Sequence, residues 1–325
     1  MNSMKFFKEY NREIGLVIAL IFITVLFGSI NPLYVSIGNI TDIIDQTTIY
    51  GLMALGMTFI IIGGGIDLSV GSVLAFVGVI VANMLTAKIH PVICILAGIA
   101  IGFLVGSING FFVAKMKLQP FVATLGSMSM LRGFAYVITK GFPIINLPSE
   151  YRKMVDGLVY GNIRASVIIF LLVAVICHII LKQTRFGNYV YAIGGNEESA
   201  RLSGINVDRY KILIFALGVS TSALAAIVQV AKLGTGEASA GGGYELNAIA
   251  PVAIGGASMT GGRGGIIGTV LGALLFSGLK IGLIVIGVDP FWQYVATGAV
   301  IVIAAYGEKI QAQFSELRRR YAQSR

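Results

Sequence analysis

Polar side chains are scarce in this chain, and the few inside apolar stretches fall at spacings that could serve a small hydroxylated molecule. Thr124 and Ser127, in PFVATLGSMSMLRG, lie three residues apart and share a face if the segment is helical. Asp67 and Ser69 stand in GGGIDLSVGS, and Glu245 and Asn247 in YELNAIAP. A neutral polyol is held by hydroxyls, amides and aromatic rings rather than by strong charges. These six residues are therefore candidates to line or gate a path for one. Each has a second reading. An Asp at the bilayer centre costs ~2.5–3.5 kcal/mol unless it is partnered, and Asp67 could instead cap the helix that follows it. Thr124 and Ser127 could equally bond back to their own helix.

No spacing points to catalysis. The chain offers no paired carboxylates, no nucleophile–base pair and no cluster of metal ligands. Cys94 and Cys177 sit in separate apolar runs, and His90 and His178 lack neighbours that suggest a metal. The run GGASMTGGRGG (255–265) looks like a phosphate loop, but no Lys in the chain is followed by Ser or Thr, so a Walker A motif is excluded. The chain is expected to hold no metal or cofactor and to hydrolyse no ATP by that route.

A third set of residues suggests docking. The segment 182–211 is a polar island, KQTRFGNYVYAIGGNEESARLSGINVDRYK. Within it Gly195 precedes Asn196, a good N-cap, and Glu197 and Glu198 fall in the first turn, where the helix dipole favours negative charge. Ala200 and Arg201 continue the helix, and Gly204 is placed to end it. A rigid knob on a water-facing loop would dock a partner; a solvated connection between helices has equal standing on spacing alone.

The elements that position these residues are membrane helices. The 325 residues are 56% hydrophobic and 12% charged, about half the charged fraction of a soluble domain. Ten apolar segments follow: Ile14–Ile30, Ile49–Ile62, Val70–Leu85, Pro91–Val113, Phe121–Ile138, Ala165–Leu181, Ile212–Val230, Ala248–Ala257, Ile266–Val288 and Phe291–Tyr306. The expectation is an all-α polytopic membrane protein of about ten transmembrane helices, some broken at the glycine-rich runs 63–71 and 255–265. It forms a single transmembrane domain over 1–325, with a tail at 307–325. Lys5, Lys8 and Arg12 before the first segment, with no cleavage site after it, mark an uncleaved first span.

With both termini inside, most basic residues fall on the inner side, among them Lys115, Lys117, Arg185, Arg201, Lys211 and the tail. The charge of +9 is spread over loops and tails, which argues against nucleic acid. Arg132 and Lys280 are expected to snorkel outward. Gly98, Gly102, Gly106 and Gly110 recur every fourth residue, as do Gly264, Gly268 and Gly272. Each stripe should be a close helix–helix contact, with Asn109 as interhelical glue.

Four long motifs carry a family resemblance: Gly51–Ser72, Leu118–Gly133, Thr184–Lys211 and Tyr244–Leu275. In this order, over nearly the full length, they resemble the permease subunits of bacterial ATP-binding-cassette importers for monosaccharides, the ribose, xylose, galactose and allose branch. The resemblance implies a fold like that of type II importers and a homodimer with the sugar path between its two copies. It implies a cytoplasmic ATPase partner that carries ATP and Mg, and a periplasmic or lipid-anchored sugar-binding protein. The segment Gly195–Gly204 would be the coupling helix that seats in the ATPase. The location implied is the bacterial inner membrane, with both termini cytoplasmic. Ribose is the expected sugar, with galactose, xylose and allose as alternatives. The competing readings are an ion-coupled secondary transporter and a passive channel; Asp67 is the one mid-membrane carboxylate the former could use.

Overall fold

The computed structural model describes residues 11–289, 291–303 and 306; Lys5, Lys8 and the tail 307–325 lie outside the described residues. Helix α1 (Asn11–Ile30) leads through a 3-10 turn (Pro32–Val35) into α2 (Ile37–Ile62). Then come α3 (Val70–Thr86), α4 (Pro91–Ala114), α5 (Pro120–Thr139) and a short α6 (Ser149–Asp156). An antiparallel hairpin, β1 (Leu158–Tyr160) and β2 (Ile163–Arg164), precedes α7 (Ala165–Gln183). The order closes with α8 (Arg185–Gly195), α9 (Glu197–Leu202), α10 (Val207–Leu233), α11 (Tyr244–Ile254), α12 (Ile266–Val285) and α13 (Trp292–Ile303).

Local chemistry sets these boundaries. The Ser36 hydroxyl accepts from the Asn39 amide at the start of α2, which therefore begins twelve residues before the apolar run that marks it in sequence. Pro91 and Pro120 open α4 and α5, where a missing N–H costs nothing. Gly234, at φ +72°, takes the left-handed turn that stops α10.

Among the described residues seven helices, α1, α2, α4, α5, α7, α10 and α12, are long and apolar enough to cross a membrane, and α3 and α13 are shorter apolar helices. The eighth segment is a correction. In place of a span over Ala248–Ala257, α11 covers eleven residues from Tyr244, only ~16 Å. It ends at Gly255 and Gly256, the latter at φ +79°.

Helices α2 and α10 form the centre: 78% and 72% of their apolar windows are buried, against 11% for α1. Helix α4 lies on α10 through its glycine face. A methyl on Gly102 would meet the Ala223 β-carbon at 2.5 Å, and one on Gly110 would meet the Ile212 α-carbon at 2.6 Å. Gly98 faces Val81 and Ile227, and Gly106 faces the Phe215 carbonyl. The second stripe is shorter than its spacing suggests. Gly268 and Gly272 lie on α12 against the Gly255 and Pro251 carbonyls of α11, but Gly264 precedes the helix, at φ +146°, packed on Ala257 and Ile62. The glycine-rich run unwinds there, so the four-residue spacing has no helical face to act on.

The stretch between α5 and α7, which falls outside the ten apolar segments, contains structure. Tyr151 of α6 is buried and donates its hydroxyl to the Ile227 carbonyl of α10 at 2.7 Å. Arg164 joins Asp156 (3.0 Å) to Asp45 of α2 (3.1 Å), and Lys232 of α10 reaches the same Asp45 oxygen at 3.0 Å. These charges pair across three helices, which offsets the cost of burying them.

Candidate functional site

The polar island folds as two helices. The first, α8, was not legible in sequence; Thr184 caps it by accepting from the Gly187 amide at 3.2 Å. Gly195 is its last residue. The second, α9, is the short knob. Asn196 Oδ1 accepts from the Ser199 amide at 2.8 Å, and Glu197 and Glu198 occupy the first turn. At the far end the Gly204 amide donates to the Arg201 carbonyl (3.0 Å) and the Ile205 amide to the Ala200 carbonyl (3.2 Å), with Gly204 at φ +84°. That pair of bonds is a Schellman stop. Ala200 is buried with Ile193, Val207 and Ile205, whereas Leu202 projects with 84% of its surface exposed.

Charge pairs hold the knob to the bundle. Glu197 bridges Arg201 and Lys211. Asp208, in the first turn of α10, takes Lys115 (3.2 Å), Lys117 (3.1 Å) and Arg201 (3.1 Å) together. The α4–α5 connection, the knob and the start of α10 are thus tied at one carboxylate. Burial acts to raise the Glu197 pKa, but the hydrogen bonds and charges of Lys211 and Arg201 outweigh it and hold the carboxyl below its usual range.

Both glycine-rich breaks arrive at this same end. The Gly262 amide donates to the Ile62 carbonyl, the last of α2, at 2.8 Å. Gly194 of α8 lies directly on that carbonyl, and Gly261 and Gly262 pack on Gly194 and Gly195. Tyr191 of α8 donates its hydroxyl to the Gly264 carbonyl at 2.8 Å. Close backbone approach among the two breaks and α8 explains the glycines.

The six candidate path residues divide among three places. Asp67, Ser69, Thr124 and Ser127 come together around Asn109, all buried. Asp67 Oδ1 accepts from the Ser69 amide (2.7 Å) and hydroxyl (2.6 Å). Asn109 Nδ2 donates to Asp67 Oδ2 (3.0 Å) and Ser69 Oγ (2.9 Å), and its Oδ1 accepts from Ser127 (2.5 Å). Thr124 bonds back to the Pro120 carbonyl (2.8 Å) and accepts from the Leu68 amide (3.1 Å). The cluster joins the 63–69 break to α4 and α5.

Glu245 lies elsewhere, with its carboxylate over Gly71. Asn247 is in a third place, 3.5 Å from Lys280 Nζ. Lys280 and Arg132 both find partners within the protein. Lys280 reaches the Tyr50 hydroxyl at 3.2 Å, and Arg132 donates to the carbonyls of Ala238 and Ala240 at 2.5 Å each.

Among the described residues no group of three metal-ligating side chains occurs. Sequence reasoning did not pick out the Asp208 clamp, although an acidic residue in the first turn of α10 was visible in NVDRYK.

The permease-component family of branched-chain amino acid transport systems matches residues 39–305. A ribose import permease protein, RbsC, of Bacillus subtilis is 42% identical over 294 residues, covering 90% of this chain and 91% of that protein. Its Escherichia coli K12 namesake is 38% identical over 302 residues, covering 92% and 94%. The galactose/methyl galactoside import permease MglC of the same strain is 33% identical over 320 residues, covering 93% and 95%. No solved structure matches the chain.

Proposed function

Because this chain belongs to the permease-component family of branched-chain amino acid transport systems, we propose that it is the membrane subunit of an ATP-driven monosaccharide importer, with ribose as the first sugar. The observation that carries the coupling half of this reading is the stacking of α8 on both glycine-rich breaks. A force applied at the α9 knob reaches the end of α2 and the start of α12 through backbone contacts, not through flexible side chains. Two packed, discrete arrangements of such elements make a gate. The sugar half is supported by the ribose and galactoside import permeases it resembles.

In this reading α9 faces the cytoplasm with both termini, and Leu202 with the exposed acidic turn enters a cleft on a cytoplasmic ATPase subunit. ATP and Mg are bound there, and this chain holds no cofactor. Two copies of the chain form the unit, and a separate sugar-binding protein delivers substrate to the opposite end. Asp67, Ser69, Thr124, Ser127, Glu245 and Asn247 act as gate supports. The buried Asp67–Asn109 cluster sets where α3 begins, and it shifts when the 63–69 break shifts.

The test is reconstitution of the chain with its ATPase and binding protein in proteoliposomes. ATP-dependent accumulation of labelled ribose is expected. Uptake that is indifferent to ATP but abolished by an ionophore would replace this reading with ion-coupled transport.

A further inference from the structure

Five residues, 115–119, join α4 to α5, two helices long and apolar enough to span a membrane. A link that short between two spans lies at the membrane surface. Its lysines meet Asp208, so it stands on the same side as the α9 knob.

Positive charge is in excess there. Lys115 and Lys117 share Asp208 with Arg201, and Arg201 shares Glu197 with Lys211. Four cations thus meet two carboxylates, a surplus of two positive charges. The two lysines stay open to their surroundings, with 54% and 59% of their side chains exposed. An ammonium group has three donors, and the bond to Asp208 uses one on each lysine.

Apolar surface frames these charges. Leu104, Ile108 and Phe111 are exposed at spacings of four and three along α4, and Lys115 follows four residues after Phe111. The lysine therefore stands at the foot of the lipid-facing stripe of the helix. Met116 and Leu118 in the link are exposed, as are Phe121 and Val122 at the start of α5. A soluble anion would be served by the charges alone. A phospholipid uses both surfaces: its phosphate meets the ammonium groups, and its acyl chains lie on Phe111, Phe121 and Val122. Basic side chains at the ends of spanning helices hold anionic headgroups in this way.

We propose that the α4–α5 connection is a binding site for an anionic phospholipid, held by Lys115 and Lys117. The headgroup and Asp208 draw on the same two ammonium groups, which places the lipid one contact away from the knob. The site is independent of which solute the chain carries, and its test requires neither ATP nor partner proteins.

Trp292 is the only tryptophan of the chain, so Trp292→Phe with Met116→Trp places a single fluorophore between the two lysines. Full-length protein is placed in nanodiscs of mixed phosphatidylglycerol and phosphatidylcholine. Bromine is carried on the acyl chains of one lipid or the other, at equal mole fraction. Each unpaired cation enriches anionic lipid by about fivefold. Brominated phosphatidylglycerol should therefore quench the tryptophan several-fold more strongly than brominated phosphatidylcholine. Lys115→Gln with Lys117→Gln should bring the two lipids level at unchanged melting temperature, and Lys115→Arg with Lys117→Arg should keep the preference. Lys88→Gln, at the opposite end of α4, should keep it too. Either single glutamine variant, with a partial loss, serves if the double one is destabilised.

Equal quenching by the two lipids in the parent, or a preference that survives in the glutamine variants, overturns the site. So does quenching by neither lipid, which would put position 116 in water or under protein. Loss of the preference on adding millimolar inorganic phosphate assigns the lysines to a soluble anion and overturns the lipid.

Discussion

Gly194 rests on the Ile62 carbonyl with no room for a side chain between them. The contact joins the helix that leads into the exposed knob to the end of the most central spanning helix. The same carbonyl accepts the Gly262 amide, so three segments far apart in sequence share one oxygen.

Gly194→Ala is expected to be costly for its size. The methyl would overlap the Ile62 carbonyl and crowd the Gly262 amide, and overpacking of this kind costs ~1–3 kcal/mol. A lowered melting temperature in detergent, with ATPase activity no longer stimulated by sugar, is the expected result. Wild-type values for both would show that α8 moves independently of α2.

Gly102→Leu should damage folding rather than transport. Its methyl position already meets the Ala223 β-carbon at 2.5 Å, so a leucine would drive α4 from α10. Expression and thermal stability should both fall; Gly15→Leu, where the helix face is open, should leave them unchanged.

The clamp at Asp208 leads to a proteolysis experiment. Asp208→Asn keeps the shape but removes the charge that gathers Lys115, Lys117 and Arg201. Trypsin should then cut after Lys115 and Lys117 faster than in the parent protein, because the α4–α5 connection loses its tether. Equal cleavage rates would mean that backbone packing alone holds it.

Glu197 adds a pH dependence. Its folded pKa lies below the ordinary carboxylate value, so its pairing with Lys211 and Arg201 stabilises fully at neutral pH. That contribution is lost as the pH falls through the ordinary range near ~4.3 and down to the lowered folded value. Exposed pairs contribute only ~0.2–1 kcal/mol, so the effect is a shallow acid-side decline in melting temperature. Glu197→Gln should flatten that part of the curve and leave the neutral value slightly lower.

Asn109→Leu should be the most damaging of the polar substitutions. It strips Asp67 Oδ2 of its donor and leaves Ser127 without an acceptor inside the bundle. A buried acceptor left without its partner costs ~1–3 kcal/mol, whereas Ser127→Ala removes one bond of about 1 kcal/mol. Comparable melting temperatures for the two variants would contradict the central place of Asn109.

Much of this was legible in the sequence because the physics is local. A run of apolar residues must pair its backbone within itself in a bilayer, so the spanning helices follow from composition and length. The α9 knob followed from Asn196, Glu197, Glu198 and Gly204, since caps act over three or four residues. The glycine face of α4 could be read from its period. Where a helix starts by a hydrogen bond outside its apolar run, as α2 does at Ser36, hydropathy placed the boundary twelve residues late.

The rest depended on what lies across the bundle. Spacing alone could not say whether Thr124 and Ser127 face water or protein; the answer came from Asn109 and Leu68, on other segments. The partners of Lys280 and Arg132 could not be named from the sequence either, because Tyr50, Ala238 and Ala240 stand on other segments. Gly264 kept the period of a helix face without being on a helix, because unwinding at 255–265 depends on Ile62 and α8 to take up the freed backbone. Composition and periodicity determine which segments enter the membrane. Which buried polar groups find each other is a matter of long-range pairing, and only the packed helices decide it.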